Sequence, residues 1–227
     1  MTLPRVLVAC PTYDACGYAL EDWAKAFHAF TYPAKEALQV DNSSDGLNYT
    51  WLIRTHGIPA LYDNHHYGYL WHTMEMSWLR IVEYARERGC ELIASIEADV
   101  ICPPQTLDVL VEAWRGAGPK AIVTHRYRPR NWDPEEKVEE CGYVMRTFWL
   151  DALGCALFPT ELLYETRTAW TTPCESEFYW QGSQRGYELV SLRDVLDIEH
   201  RPDPKRGRVL AYPSRHRAFL DGGNPTP

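Results

Sequence analysis

The sequence predicts an α/β fold, a single domain with a mostly parallel central sheet flanked by helices. In the first half, short continuous apolar runs alternate with longer segments whose apolar residues recur at helical spacing, the texture required of a sheet covered on both faces. Polar, chemistry-bearing clusters follow three of the apolar runs, at the edge where open parallel sheets gather ligands. The chain has 227 residues, 45% of them hydrophobic and 24% charged. That is a globular composition and the length of one domain, or of one domain with an appendage.

Arg5 to Cys10 is a buried strand ended by Pro11. Leu20, Trp23, Phe27 and Phe30 form a helical stripe that Tyr32-Pro33 stops, and Ala37 to Val40 is a second strand opening onto Asp41-Asn42-Ser43-Ser44-Asp45-Gly46. From about Leu70 to Arg88, Trp71, Met74, Trp78, Ile81, Val82 and Ala85 share one helix face, and Gly89 closes the helix. Leu92 to Ile96 is a strand. Pro103-Pro104 starts a helix carrying Leu107, Leu110, Val111 and Trp114 and ended by Gly116, and Ala121 to Thr124 is a further strand. After His125 the chain turns charged and Pro-interrupted as far as Glu140, then rich in Trp and Tyr. With no Gly, Ser or Pro linker between the halves, the second packs on the end of the same sheet.

Lys and Arg number 23 against 31 Asp and Glu, a net charge of −8, which disfavours general binding to nucleic acid or anionic lipid. No apolar run approaches the roughly 18 residues of a membrane span, and the chain reads as cytoplasmic. The 7 cysteines are odd in number and show no Cys-x-x-Cys spacing, so buried thiols are expected in place of disulfides or structural zinc.

The sharpest local feature is Glu97-Ala98-Asp99 at the end of an apolar strand. Side chains two apart on a strand point the same way, so both carboxylates can face one cation; acids at a strand end are also commonly just solvated or cap the next helix. Asp41 after the second strand can accept from a ribose hydroxyl or a base N–H, with Asn42 and Ser44 donating to phosphate, or the segment is a plain polar turn. Pro11-Thr12-Tyr13-Asp14 follows the first strand. His65, His66 and His72 lack a carboxylate at ligand spacing apart from Asp63, and read as solvent-facing. Trp132, Trp149, Trp170 and Trp180 can stack on sugar faces or fill core.

Taken in chain order, these features resemble the inverting nucleotide-sugar glycosyltransferases of the GT-A fold, family 2 in particular. The family's first strand ends in Pro-x-Tyr-Asn, matched by Pro11, Thr12, Tyr13 and Asp14, with Asp in place of Asn. Its second ends in Val-Asp-Asn-x-Ser, matched by Val40, Asp41, Asn42 and Ser44. The Asp-x-Asp metal motif is matched by Glu97, Ala98 and Asp99, with Glu for the first Asp. Leu153 to Pro159 is similar to the Gly-rich strand on the acceptor side. Cys174-Glu175-Ser176-Glu177, before Gly186-Tyr187, resembles the segment of the catalytic base, and Asp197-Ile198-Glu199-His200 resembles the late His of the metal site.

The resemblance implies a Rossmann-like GT-A domain over residues 1–200, with about 1–125 as nucleotide-binding half and 126–200 as acceptor half, and a basic tail at 201–227. It implies a metal-dependent transfer of sugar from a nucleotide-diphosphate donor, UDP-linked, to a hydroxyl acceptor with inversion. Asp99, His200 and Glu97 would hold Mn²⁺ or Mg²⁺. Pro11, Thr12, Tyr13, Asp14, Asp41, Asn42, Ser44, Ala98 and Arg201 would bind the donor. Glu175, or else Glu177, would be the general base. Arg201, Lys205, Arg206, Arg208, Arg215 and Arg217 form a local surplus of positive charge that can close over a diphosphate, or stay solvated. Two other readings stand beside this: a sugar nucleotidyltransferase, although Pro11 to Gly17 has no basic residue, and a nucleotide-binding relative without catalysis.

Overall fold

The computed structural model describes residues 2–44, 46–63, 70–125, 153–166, 174–193 and 195–201, with only the backbone at 70–72 and 174–177. In chain order the elements are β1 (Val6–Thr12), α1 (Leu20–Ala29), β2 (Lys35–Asp41), α2 (Asn48–Thr55), β3 (Ala60–Tyr62), α3 (Leu70–Glu87), β4 (Leu92–Ile96), β5 (Val100–Ile101), α4 (Thr106–Ala117), β6 (Ala121–His125), β7 (Cys155–Pro159), α5 (Thr160–Thr166), α6 (Cys174–Gln184), β8 (Glu188–Leu192) and β9 (Glu199–His200), with a short 3₁₀ turn at Asp14–Cys16. Among the described residues they form a seven-stranded sheet in the order β3-β2-β1-β4-β7-β6-β8 and a separate two-stranded pair, β5-β9. The pairs β1·β2, β1·β4, β2·β3 and β6·β8 are parallel, whereas β7 runs antiparallel to both β4 and β6. This is the mostly parallel sheet that the apolar runs predict.

The central strands are apolar on both sides because both faces are covered. Val6, Val8 and Cys10 of β1 point to one face, with Leu20, Trp23 and Ala24 of α1, Tyr49 and Ile53 of α2, and Leu107, Leu110 and Val111 of α4. Leu7 and Ala9 point to the other, with Trp78, Ile81, Val82 and Ala85 of α3, Leu162 and Leu163 of α5, and Phe178 and Tyr179 of α6. The result is a helix-sheet-helix sandwich. Each fully covered Leu or Phe in it contributes about 1.5–3 kcal/mol of burial.

Strand β2 runs from Lys35 to Asp41, β6 reaches His125 and α4 begins at Thr106, each a residue or more from the sequence reading, and two further departures have a local cause. Strand β1 runs through Pro11 to Thr12, because β4 leaves its side after Ala9 and the missing N–H of Pro11 falls where the strand is paired on one flank only. Helix α4 continues through Gly116 to Ala117 and ends at Gly118, whose φ of 107° suits glycine and whose N–H donates to the Trp114 carbonyl at 2.9 Å. Gly89, with φ 65°, closes α3 as expected. No helix among the described residues is long and apolar enough to cross a membrane.

Candidate active site

Because β1, β2 and β4 are parallel neighbours, the loops after them open on one edge of the sheet. Strand β4 stops at Ile96, so Glu97 and Asp99 converge through a turn and not, as the sequence suggests, through the alternation of a strand. The turn is closed by the Val100 N–H donating to the Glu97 carbonyl at 3.0 Å, and anchored by the Glu97 N–H donating to Gly154 at 3.1 Å. Ala98 at its bend is buried in the core.

The third member arrives from about a hundred residues further on. Pairing of β5 with β9 sets Val100 opposite His200, and the Arg201 N–H donates to the Asp99 carbonyl at 2.8 Å. His200 Nε2 thereby lies 3.4 Å from Asp99 Oδ2. Ligand atoms of Glu97, Asp99 and His200 all lie within 4.8 Å of one another. An ion with bonds of about 2.1 Å joins donors up to about 4.2 Å apart, so shifts of a few tenths of an ångström per side chain suffice. Two carboxylates and an imidazole are a donor set that suits Mn²⁺ or Mg²⁺, and Asp99, only 2% exposed, makes this a lined recess. Burial pushes the Cys10 thiol beneath it well above its ordinary range, and the Cys16 thiol and the carboxylates of Glu97 and Asp99 push it the same way.

Next to this recess the loops after β1 and β2 are knitted together. Asp41 is fully buried. Its Oδ1 accepts from the Ser43 N–H at 2.9 Å and from the Ser43 hydroxyl, and its Oδ2 accepts from the Thr50 hydroxyl at 2.6 Å. Ser43 Oγ also accepts the Asp14 N–H at 2.8 Å, joining one loop to the other. The Asn42 N–H donates to the Thr12 carbonyl at 2.8 Å, and Ser77 of α3 donates to Asn42 Oδ1 at 2.7 Å. Asn42 is half-buried and Thr12 buried, while Tyr13, Asp14 and Ser44 face outward and Pro11 lies between.

The structure thus brings Glu97, Asp99 and His200 together and places Pro11, Thr12, Tyr13, Asp14, Asp41, Asn42, Ser44 and Ala98 on the same edge. The Arg201 guanidinium is turned to Asp22 at 2.9 Å and Glu199 at 2.6 Å. Glu175 and Glu177 fall in the first turn of α6, with their side chains outside the described residues. Cys141, His65, His66, Trp132, Trp149, Trp170 and the basic residues beyond Arg201 also lie outside the described residues, as do the side chains of His72 and Cys174; Trp180 is exposed on α6. The sequence reading passed over Tyr18, Ser43, Thr50 and Ser77. Ser43 alone carried a signal, as the variable member of a polar run.

An open, mostly parallel sheet with its polar loops at the carboxyl edge is the fold that the resemblance to GT-A transferases implies, and the structural comparisons agree at the level of fold. The mannosyltransferase PcManGT from Pyrobaculum calidifontis, solved in complex with GDP-Man and Mn²⁺, superposes with a TM-score of 0.66 at 21% identity, covering 92% of this chain and 59% of that one. S. aureus TarS 1-349 in complex with UDP-GlcNAc gives 0.60 at 13% identity over 92% of this chain and 61% of that one. A 4-diphosphocytidyl-2C-methyl-D-erythritol synthase gives 0.58 at 14% identity over 97% of this chain and 99% of that one. The chain therefore spans about three fifths of the two transferases it resembles. The sequence itself matches no protein-family model and no curated protein.

Proposed function

We propose that this chain is a metal-dependent glycosyltransferase that moves a sugar from a nucleotide-diphosphate donor, UDP-linked, to a hydroxyl acceptor with inversion. The observation that carries the reading is the convergence of Glu97, Asp99 and His200 on the sheet edge that also holds the loops at 11–14 and 41–44. Glu97, Asp99 and His200 would hold Mn²⁺ or Mg²⁺, which when bound would supply Lewis-acid neutralisation of charge on a diphosphate leaving group. The mannosyltransferase neighbour holding GDP-Man with Mn²⁺ supports this choice of cation.

The chain's own residues do the rest. The loops tied by Ser43 and Asn42 offer backbone and side-chain groups to the nucleoside, and Asp14 and Ser44, facing outward, are available to ribose and phosphate. The basic residues after Arg201, whose own guanidinium is taken by Asp22 and Glu199, give an acidic protein a local surplus of positive charge for the diphosphate. The acceptor oxygen attacks the anomeric carbon as the bond to the diphosphate oxygen breaks, its electron pair leaving with the diphosphate. Glu175, or Glu177 beside it in the α6 turn, takes the hydroxyl proton. The test is release of nucleoside diphosphate from UDP-linked and GDP-linked sugars in the presence of Mn²⁺, for the wild type and Asp99→Ala. Equal release from both proteins sinks the proposal.

A second reading has one specific observation in its favour. The 4-diphosphocytidyl-2C-methyl-D-erythritol synthase matches over 99% of its own chain and 97% of this one, whereas PcManGT and TarS 1-349 extend well beyond the match. A nucleotidyltransferase joins a nucleoside triphosphate to a sugar phosphate and releases pyrophosphate. Pyrophosphate formed from a triphosphate, with no diphosphate released from nucleotide sugars, selects that reading.

A further inference from the structure

The segment that delivers His200 has little holding of its own. Strand β9 is two residues long and, among the described residues, pairs only with β5, and a two-stranded ladder is marginal in isolation. Upstream, the Leu196 N–H donates to the buried His125 Nε2 at 3.0 Å, and Leu196 and Ile198 are buried in the core. Downstream, the grip comes from the start of α1. The Tyr18 hydroxyl donates to Asp99 Oδ2 at 2.9 Å and also lies 3.4 Å from the Arg201 carbonyl oxygen. One turn of chain later, Asp22 Oδ2 takes the Arg201 guanidinium at 2.9 Å.

We propose that Tyr18 is a positioning residue for the acid-histidine cluster and that, with Asp22, it forms a clasp holding residues 199–201 against Asp99. A phenol has one proton, and the carboxylate is its stronger acceptor. Bound there, it sets the rotation of the Asp99 carboxylate, so that the oxygen shared with His200 stays beside the imidazole. Its nearness to the Arg201 carbonyl ties the same hydroxyl to the strap that carries the histidine. Asp22 secures that strap from the side-chain direction. The contacts stand without any ion; their consequence for cation affinity rests on the metal reading proposed above.

The experiment uses the full chain with Tyr18→Phe and Asp22→Asn, singly and combined, and with Arg201→Gln as a variant that opens the clasp from its other half. Two readouts are taken: amide hydrogen exchange over residues 196–201, and Mn²⁺ affinity from the free-ion electron paramagnetic resonance signal. Tyr18→Phe is expected to speed exchange of the Arg201 amide and to weaken Mn²⁺ binding about 10–100-fold, the range usual for a group that supports a metal ligand. Asp22→Asn, whose pair is part-exposed, is expected to change both by a few-fold only. Unchanged exchange in the double variant and in Arg201→Gln overturns the clasp. Faster exchange with unchanged Mn²⁺ affinity overturns the positioning role. Faster exchange in a protein whose wild type binds no Mn²⁺ supports the clasp and removes the metal reading instead.

Discussion

The Thr50 hydroxyl donates to Asp41 Oδ2 at 2.6 Å in a place where both residues are wholly covered. A helix that starts seven residues after β2 ends thus turns back to satisfy the carboxylate that organises the preceding loop. Thr50→Val keeps the shape and removes the donor, leaving a buried carboxylate oxygen short of one partner. The expected cost is about 1.5–3 kcal/mol, typical of a hydrogen bond to a charged group, read as a lower urea midpoint with unchanged slope. Thr50→Ser keeps the donor and is expected to stay within about 1 kcal/mol of wild type, since it loses only a methyl group.

Asp99→Asn is the sharper probe of the acid-histidine cluster. The Asn side chain still accepts from Tyr18 but loses the charge that an ion needs. For the wild type in Mn²⁺, the right nucleoside diphosphate at a hundred times its dissociation constant adds about 2.7 kcal/mol, a rise of roughly 5–10 °C in unfolding temperature for this length. Asp99→Asn is expected to unfold near the wild-type temperature without ligand and to lose that rise. A full rise in the variant removes Asp99 from the ligand set.

Glu175 and Glu177 stand two residues apart in the first turn of α6, at positions about 200° apart around the helix axis. Only one can meet the acceptor hydroxyl in a given pose. The Gln variant of the base is expected to lose about 10²–10⁴-fold in turnover and the acidic limb of the pH-rate profile, with donor binding unchanged. The other variant is expected to keep that limb. Equal, small losses in both place the base elsewhere.

The buried thiols give the protein an alkaline weakness. Burial raises Cys10 above the ordinary thiol value of 9.0, and Cys155 is raised by the neighbouring Cys102 and by burial. A group whose folded value is raised contributes stability that is complete below the unfolded value and is lost as pH climbs past it. Stability is therefore expected to fall from about pH 9 upward, at about 1.4 kcal/mol per pH unit for each such thiol. Cys10→Ala is expected to flatten the slope by one proton, measured by denaturant titration between pH 8 and 10.5.

Most of the sheet was legible because its strands are buried on both faces and so spell uninterrupted apolar runs; β1, β2, β4 and β6 all read this way. Helices α1, α3 and α4 show a stripe because they each cover the sheet along their length. Helix α2 was hidden: Tyr49, Thr50 and Ile53 face inward, but Leu47 before it and Trp51 and Leu52 within it are exposed, which blurs the stripe. Strand β3 has three residues, β5 and β9 two each, and β8 lies half-exposed at the sheet edge, all too little pattern to read. At the site, motif residues were legible and their supports were not. Tyr18 sits outside any run, and nothing in its neighbours announces that its hydroxyl will meet a carboxylate 81 positions away.

The pairing of β5 with β9 also orders events in time. Strands β1 to β3 pair with their neighbours in sequence, the kind of contact that forms early, whereas β4 returns to β1 with Leu92 opposite Val6. Between Asp99 and His200 the chain runs through β6, β7 and β8 and turns back past His125. A chain halted before that return holds two of the three convergent groups and lacks Leu196 and Ile198 from the core. During refolding, the appearance of cation affinity would therefore lag behind the recovery of secondary structure, so that a bound ion timestamps the last long-range contact to close.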